Sequence, residues 1–157
     1  MVSLLSLPRS FFFELTDPMV SATLSGFCDA SIKAYAAVVY IVLKTETGSS
    51  VQFVAAKTRV TPLRSQTIPR LELLSALLLS RLIVSVHSSL QHQIPSLNIK
   101  CFMDSQVALF WILGCDKEWK PFVQNRVTEI RRKVHSNHWY HCPGTTNPAD
   151  LPSRELP

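Results

Sequence analysis

Leu97, Ile99, Cys101 and Met103 alternate with Asn98, Lys100, Phe102 and Asp104, the period of two of a strand that points Phe102 and Asp104 to the same face. Directly after it, Ser105 can cap a helix whose Val107, Ala108, Phe110, Trp111 and Ile112 leave little polar surface. Upstream, three β-rich runs, TLSGFCDAS from Thr23, AYAAVVYIVLK from Ala34 and VQFVAAKTRV from Val51, are joined by short polar breaks and predict an antiparallel meander. Pro62 ends the third run. Pro69 opens a long helix to about Leu90, in the first turn where a missing N–H does no harm. A further helix from Pro121 to about Val134 sets Val123, Val127, Ile130 and Val134 on one face and Arg126, Arg131, Arg132 and Lys133 largely off it. A short strand, HWYHC, and a terminal helix begun by NPADLPSR complete a mixed α/β domain built on one sheet.

Residues 1–22, with Pro8, Pro18 and the cluster of Phe11 to Phe13, are expected to form a connector left from an upstream region, and residues 23–157 the domain, expected to be truncated at its C-terminus. Length and composition fit that division: 157 residues, nearly half of them hydrophobic, suffice for one domain with a substantial core. The formal net charge of +5 suits a polyanionic partner without requiring one. Cys28, Cys101, Cys115 and Cys142 contain no CxxC pair, so neither a disulfide framework nor a zinc ribbon is indicated, and a reducing compartment is expected. His135, His138, His141 and Cys142 match no standard zinc-finger spacing. Pro8, Arg9 and Glu14 interrupt the apolar N-terminus, which reads as neither signal peptide nor membrane span. Glu72 and Arg81 mark the apolar run from Leu71 to Val86 as a core helix. No membrane partner and no secretion are expected.

Four acids stand where ordinary surface acids seldom do. Asp29 ends the first strand run, Glu72 lies in the first turns of the long helix, Asp104 ends the central strand and Asp150 opens the last helix. Ala76, Leu79 and Ile83 continue the face of Glu72, so that carboxylate needs a partner. Converging carboxylates without counter-charges repel, unless hard divalent cations such as Mg²⁺ or Mn²⁺ bind among them. Taken singly, each acid also has an ordinary reading: Asp29 and Asp150 as turn and cap residues, Glu72 as an acid favouring the positive end of its helix dipole.

Together, GFCDASIKAYAAVVY, AKTRVTP, TIPRLELLSALLLSRL, MDSQVALFWI, KPFVQNRVTEI and NPADLPSR resemble the ribonuclease H domain of BEL/Pao-type retrotransposon polyproteins, over roughly Ser25 to Arg154. The resemblance implies a ribonuclease H-like α/β fold, a five-stranded mixed sheet with helices on both faces and the fourth run beside the first. It implies cleavage of the RNA strand of an RNA/DNA hybrid during reverse transcription, with two Mg²⁺ ions that Mn²⁺ can replace. Asp29 would bridge both ions, Glu72 and Asp104 would complete one site and Asp150 the other; one ion would activate water and the other stabilise the leaving 3′ oxygen. Ser105 and Gln106 would touch the nucleic-acid backbone, and Arg126 and Arg131 offer a basic helix face for phosphates. A reverse transcriptase domain is the implied protein partner. The implied location is cytoplasmic, in a virus-like particle, or nuclear. Many relatives carry a histidine in a loop before the last acid; here CPGTTNPAD holds none beyond the preceding His141.

Two other functions remain to be weighed against this one. A catalytically decayed nucleic-acid-binding remnant is opposed by the presence of all four acids and favoured by the expected truncation of the C-terminus. An aspartic peptidase needs Asp-Ser/Thr-Gly, and both Asp29-Ala30-Ser31 and Asp104-Ser105-Gln106 lack the glycine.

Overall fold

The computed structural model describes residues 3–4, 19–61, 66–114 and 119–150. Strands β2 (Met19–Ala30), β3 (Ala34–Thr45) and β4 (Ser49–Val60) form the expected antiparallel meander. β2 starts ahead of Thr23 because β3 runs on to Thr45 and supplies its partners. Helix α1 (Ile68–Leu90) then crosses over to β5 (Leu97–Met103), which pairs in parallel with β2. Helices α2 (Gln106–Leu113) and α3 (Pro121–Lys133) lead to the short β6 (Trp139–His141), parallel to β5. The order is β4-β3-β2-β5-β6, the five-stranded mixed sheet expected, and the two-residue β1 (Ser3–Leu4) adds to the β4 edge.

Local chemistry explains the element boundaries. Thr67 caps α1 by accepting from the Arg70 N–H at 3.4 Å. Ser105 caps α2 in the same way, accepting from Ala108 N–H at 3.2 Å. At the other end of α2 the Arg131 guanidinium donates to the carbonyls of Ile112 at 2.7 Å, Trp111 at 3.2 Å and Gly114. That places a cation on the negative end of the α2 dipole and ties α3 to α2.

Helix α1 is long and apolar enough to cross a membrane by length and composition. In this fold it lies on the sheet, against β2, β3, β4 and β5, with α2 and α3 packed beside it. Leu73, Ala76, Leu79, Ile83 and Val86 meet Leu24, Val39, Ile41, Leu43, Cys101 and Met103 in one continuous core. At Gly26 the helix side chains come close to the strand backbone. A Cβ there would sit 2.6 Å from Leu79 Cδ1 and 3.0 Å from Ile83 Cδ1.

The three described helices share this face. The other face carries Phe53, Tyr40, Phe27, Phe102 and Tyr140 in successive ring contacts across five strands, with centroids 5.1 to 6.1 Å apart. The terminal helix opens at Asp150, and its continuation lies outside the described residues.

Gly26→Ala should lower stability by about 1–3 kcal/mol, because the added methyl forces α1 off the sheet in a filled core. Denaturant unfolding would read this as a lower midpoint with an unchanged slope.

Candidate active site

The sheet topology brings the acids together. β2 and β5 run in parallel with Cys28 opposite Met103, so Asp29 at the end of one strand stands beside Asp104 just past the end of the other. Strand ends of this kind are where open α/β sheets hold ligands. α1 packs over β2 and delivers Glu72 from its first turns to the same place. One carboxylate oxygen from each of Asp29, Glu72 and Asp104 lies within 4.8 Å of the others. Asp29 and Glu72 are only 5% and 6% exposed, Asp104 is half-buried, and no ion pair reaches any of them among the described residues.

Burial and mutual repulsion set the protonation of this group. Desolvation, the charge of Asp104 and a side-chain hydrogen bond with Asp150 push Asp29 up to about 6, although its Oδ1 accepts from Ala30 N–H at 2.9 Å. Glu72 is pushed up to about 9, first by desolvation and then by the charges of Asp29 and Asp104. Its Oε2 is buried and has no hydrogen-bond partner among the described residues. Burial, Asp104 and Asp29 also push the neighbouring Cys142 thiol up to about 11.

An orphaned carboxylate oxygen among hard oxygen donors fits a divalent cation such as Mg²⁺ or Mn²⁺. Asp150, half-buried at the opening of its helix, is a fourth carboxylate at the edge of this group, joined to it through Asp29. The structure therefore brings together all four of the acids singled out in the sequence.

The remaining candidate residues fall in different places. Ser105 uses its side chain as the α2 cap directly after Asp104, and Gln106 is exposed at the first position of that helix. Arg126 lies 3.8 Å over the Phe122 ring and donates to the Phe122 carbonyl at 3.1 Å. Arg131 is turned into the protein, its guanidinium engaged with the α2 carbonyls, so the geometry gives it a capping role in place of an open phosphate contact.

Two residues that sequence reasoning passed over shape the site. Buried Asn147 donates its amide to the Cys28 carbonyl at 2.9 Å and accepts from Ala149 N–H at 3.0 Å, which fixes the Asp150 segment against β2. Gly144 leaves room beside Asp104: a Cβ there would sit 3.1 Å from Asp104 Oδ2. Only the turn signals Asn147-Pro148 and Pro143-Gly144 hinted at either.

The family described as the Pao retrotransposon-like RNaseH-like domain matches residues 2–105. Among solved structures, the chain is similar to the N-terminal RNase H domain of Rv2228c from Mycobacterium tuberculosis, solved as a maltose-binding-protein fusion. That likeness has 15% identity and a TM-score of 0.57, over 81% of this chain and 86% of that one. RNase H1 from the halophilic archaeon Halobacterium salinarum NRC-1 is similar at 17% identity and a TM-score of 0.50, over 81% of this chain and 90% of that one. At such identities the likeness concerns the fold, which is that of ribonuclease H. No curated protein matches the chain.

The two raised carboxyls make stability depend on pH with a definite sign. The folded chain keeps protons on Asp29 to about 6 and on Glu72 to about 9, whereas the unfolded chain releases them at ordinary carboxyl values. The folded state thus binds more protons across that window, so stability in a chelator should fall as pH rises from about 5 to about 9. Glu72→Gln should remove most of the fall, and Mg²⁺ should oppose it in the native protein. Thermal midpoints measured across this window, with and without Mg²⁺, check each expectation.

Proposed function

We propose that this chain, which belongs to the Pao retrotransposon-like RNaseH-like domain family, is a metal-dependent endonuclease that cuts the RNA strand of RNA/DNA hybrids during retroelement reverse transcription. The observation that carries the reading is the cluster of Asp29, Glu72 and Asp104, within 4.8 Å of one another on a ribonuclease H fold. Two buried carboxylates with no paired cation make little sense as structural groups, because each costs desolvation energy and repels the other.

Asp29, Glu72 and Asp104, with Asp150 beside Asp29, would hold the divalent ions. Bound Mg²⁺ supplies a lowered pKa for the attacking water and charge stabilisation for the leaving 3′ oxygen. The protein positions these groups. The paired ends of β2 and β5 fix Asp29 and Asp104, the packing of α1 fixes Glu72, and the Asn147 bond to β2 holds the segment that carries Asp150. Gln106, exposed beside Asp104, is available to a substrate backbone. Discrimination for RNA would rest on 2′-hydroxyls and groove shape.

The purified domain, supplied with Mg²⁺ or Mn²⁺, should cut a labelled RNA/DNA hybrid and leave double-stranded DNA intact. Glu72→Gln should lower that rate on the order of a hundredfold or more, the loss expected when several kcal/mol of transition-state stabilisation are removed. Absence of cleavage in both metals by protein that circular dichroism shows to be folded would replace this reading with that of a binding remnant.

A further inference from the structure

A small polar set lies in the core beneath the acids. Ser75, one turn beyond Glu72 on α1, is wholly buried, and its hydroxyl donates to the Glu72 carbonyl at 2.6 Å. That commits the serine proton within the helix and leaves its oxygen as an acceptor. Cys28, the residue before Asp29 on β2, is also wholly buried and shares a side-chain hydrogen bond with Ser75. The Phe102 carbonyl on β5, two residues before Asp104, lies 3.8 Å from Cys28 Sγ as a second acceptor for the thiol proton. Burial holds that thiol well above its ordinary range, so it keeps the proton and stays a donor. The Cys28 carbonyl in turn accepts from Asn147, in the segment that carries Asp150. One residue thus touches a support of every acid: it precedes Asp29 and meets the elements that carry Glu72, Asp104 and Asp150.

We infer that Cys28 and Ser75 are positioning residues, which set the spacing of the carboxylates that hold divalent cations. The inference rests on the reading of the acids as a metal site. What the site needs is direction. Leu73, Ala76, Leu79 and Ile83 press α1 onto the sheet, but apolar contact is non-directional and fixes how close the helix lies better than how it is turned. A small rotation would carry Glu72 away from Asp29 and Asp104. Hydrogen bonds have preferred lengths and angles, and a bond from α1 to β2 one turn from Glu72 removes that freedom. Ser80 supplies the contrast. It is as buried as Ser75 and makes the same bond inside the helix, to the Leu77 carbonyl at 2.7 Å, with no partner on the sheet among the described residues. A serine that only satisfied itself within α1 would resemble Ser80, whereas Ser75 reaches across to β2 as well.

The test is metal binding by the whole chain, without substrate. Electron paramagnetic resonance of free Mn²⁺, titrated with protein, reads the affinity directly. Ser75→Ala and Cys28→Ala should each weaken it about tenfold, the lower end of the loss seen when outer contacts that orient a ligand are removed. Ser80→Ala should bind as the native chain does, and so should Cys28→Ser, which keeps a donor in place. Combined in one chain, Ser75→Ala and Cys28→Ala should lose little more than either alone, because they share one contact. Urea unfolding in EDTA should give Ser75→Ala and Ser80→Ala similar midpoints, which separates metal affinity from folding. Should Ser75→Ala not fold, the two Cys28 variants carry the test. Native affinity in Ser75→Ala, or an equal loss in Ser80→Ala, would overturn the inference and leave the ribonuclease reading untouched. Equal losses in Cys28→Ser and Cys28→Ala would assign the effect to packing volume and overturn it as well. A native chain that binds Mn²⁺ and responds to Ser75→Ala as expected, yet cuts no hybrid, would leave this inference standing and remove the ribonuclease reading. A native chain that binds no Mn²⁺ would overturn both.

Discussion

Repulsion among carboxylates that the fold forces together is the constraint around which the molecule is arranged. Asp29 and Glu72 are almost wholly buried, and Asp104 and Asp150 crowd the same strand ends. Left to itself such a group would move apart, take up protons or draw in water. None of its supports can yield easily. Asp29 and Asp104 are fixed by paired strands in the middle of a sheet, and Glu72 by a 23-residue helix whose apolar side is sunk in the core. Hydrophobic burial along α1 thus works against electrostatics at its first turns, and the absent side chain of Gly26 lets the two surfaces approach closely enough for this to hold.

The sign of the surroundings changes with distance from the acids. Among the described residues, no ion pair reaches Asp29, Glu72 or Asp104 at the strand ends; two strands away, on the same side as the helices, Lys57, Arg59, Arg81 and Arg126 gather around Glu129. An unlike pair of neighbouring fields suits a substrate that is itself a chain of anions. On the ribonuclease reading proposed above, the acidic region would accept such a substrate together with divalent cations. Arg131 and Arg126 show that a basic helix face is not one thing: one caps a helix, and the other stacks on an aromatic ring.

Much of this was legible in the chain. The three β-rich runs, the long helix begun at Pro69, the alternation from Leu97 to Met103 and the capping Ser105 all correspond to elements seen in the structure, because each rests on local periodicity or on a stop signal. Glu72 stood out since an acid on an otherwise apolar helical face must be explained by something outside that helix. Asn147 and Gly144 did not stand out. Their importance comes from residues far along the chain, the Cys28 carbonyl in one case and Asp104 in the other, and no local pattern records such a meeting. The basic group around Glu129 was hidden for the same reason: Arg59 is an ordinary edge-strand cation until Arg81 and Arg126 arrive from two helices.

The Asn147 bond to Cys28 spans 119 residues and joins two ends of the domain. Contacts of such sequence separation form late, since the intervening loop must be closed before they contribute anything. β2 and β3 can pair as soon as they are made, but the segment bearing the fourth acid is secured only after β5 and β6 have been synthesised as well. A chain emerging from the ribosome, or one clipped ahead of residue 147, would then carry the sheet and three of the acids without the clasp that holds the last. Assembly order itself keeps the complete set of charges from existing before there is a finished core to contain it.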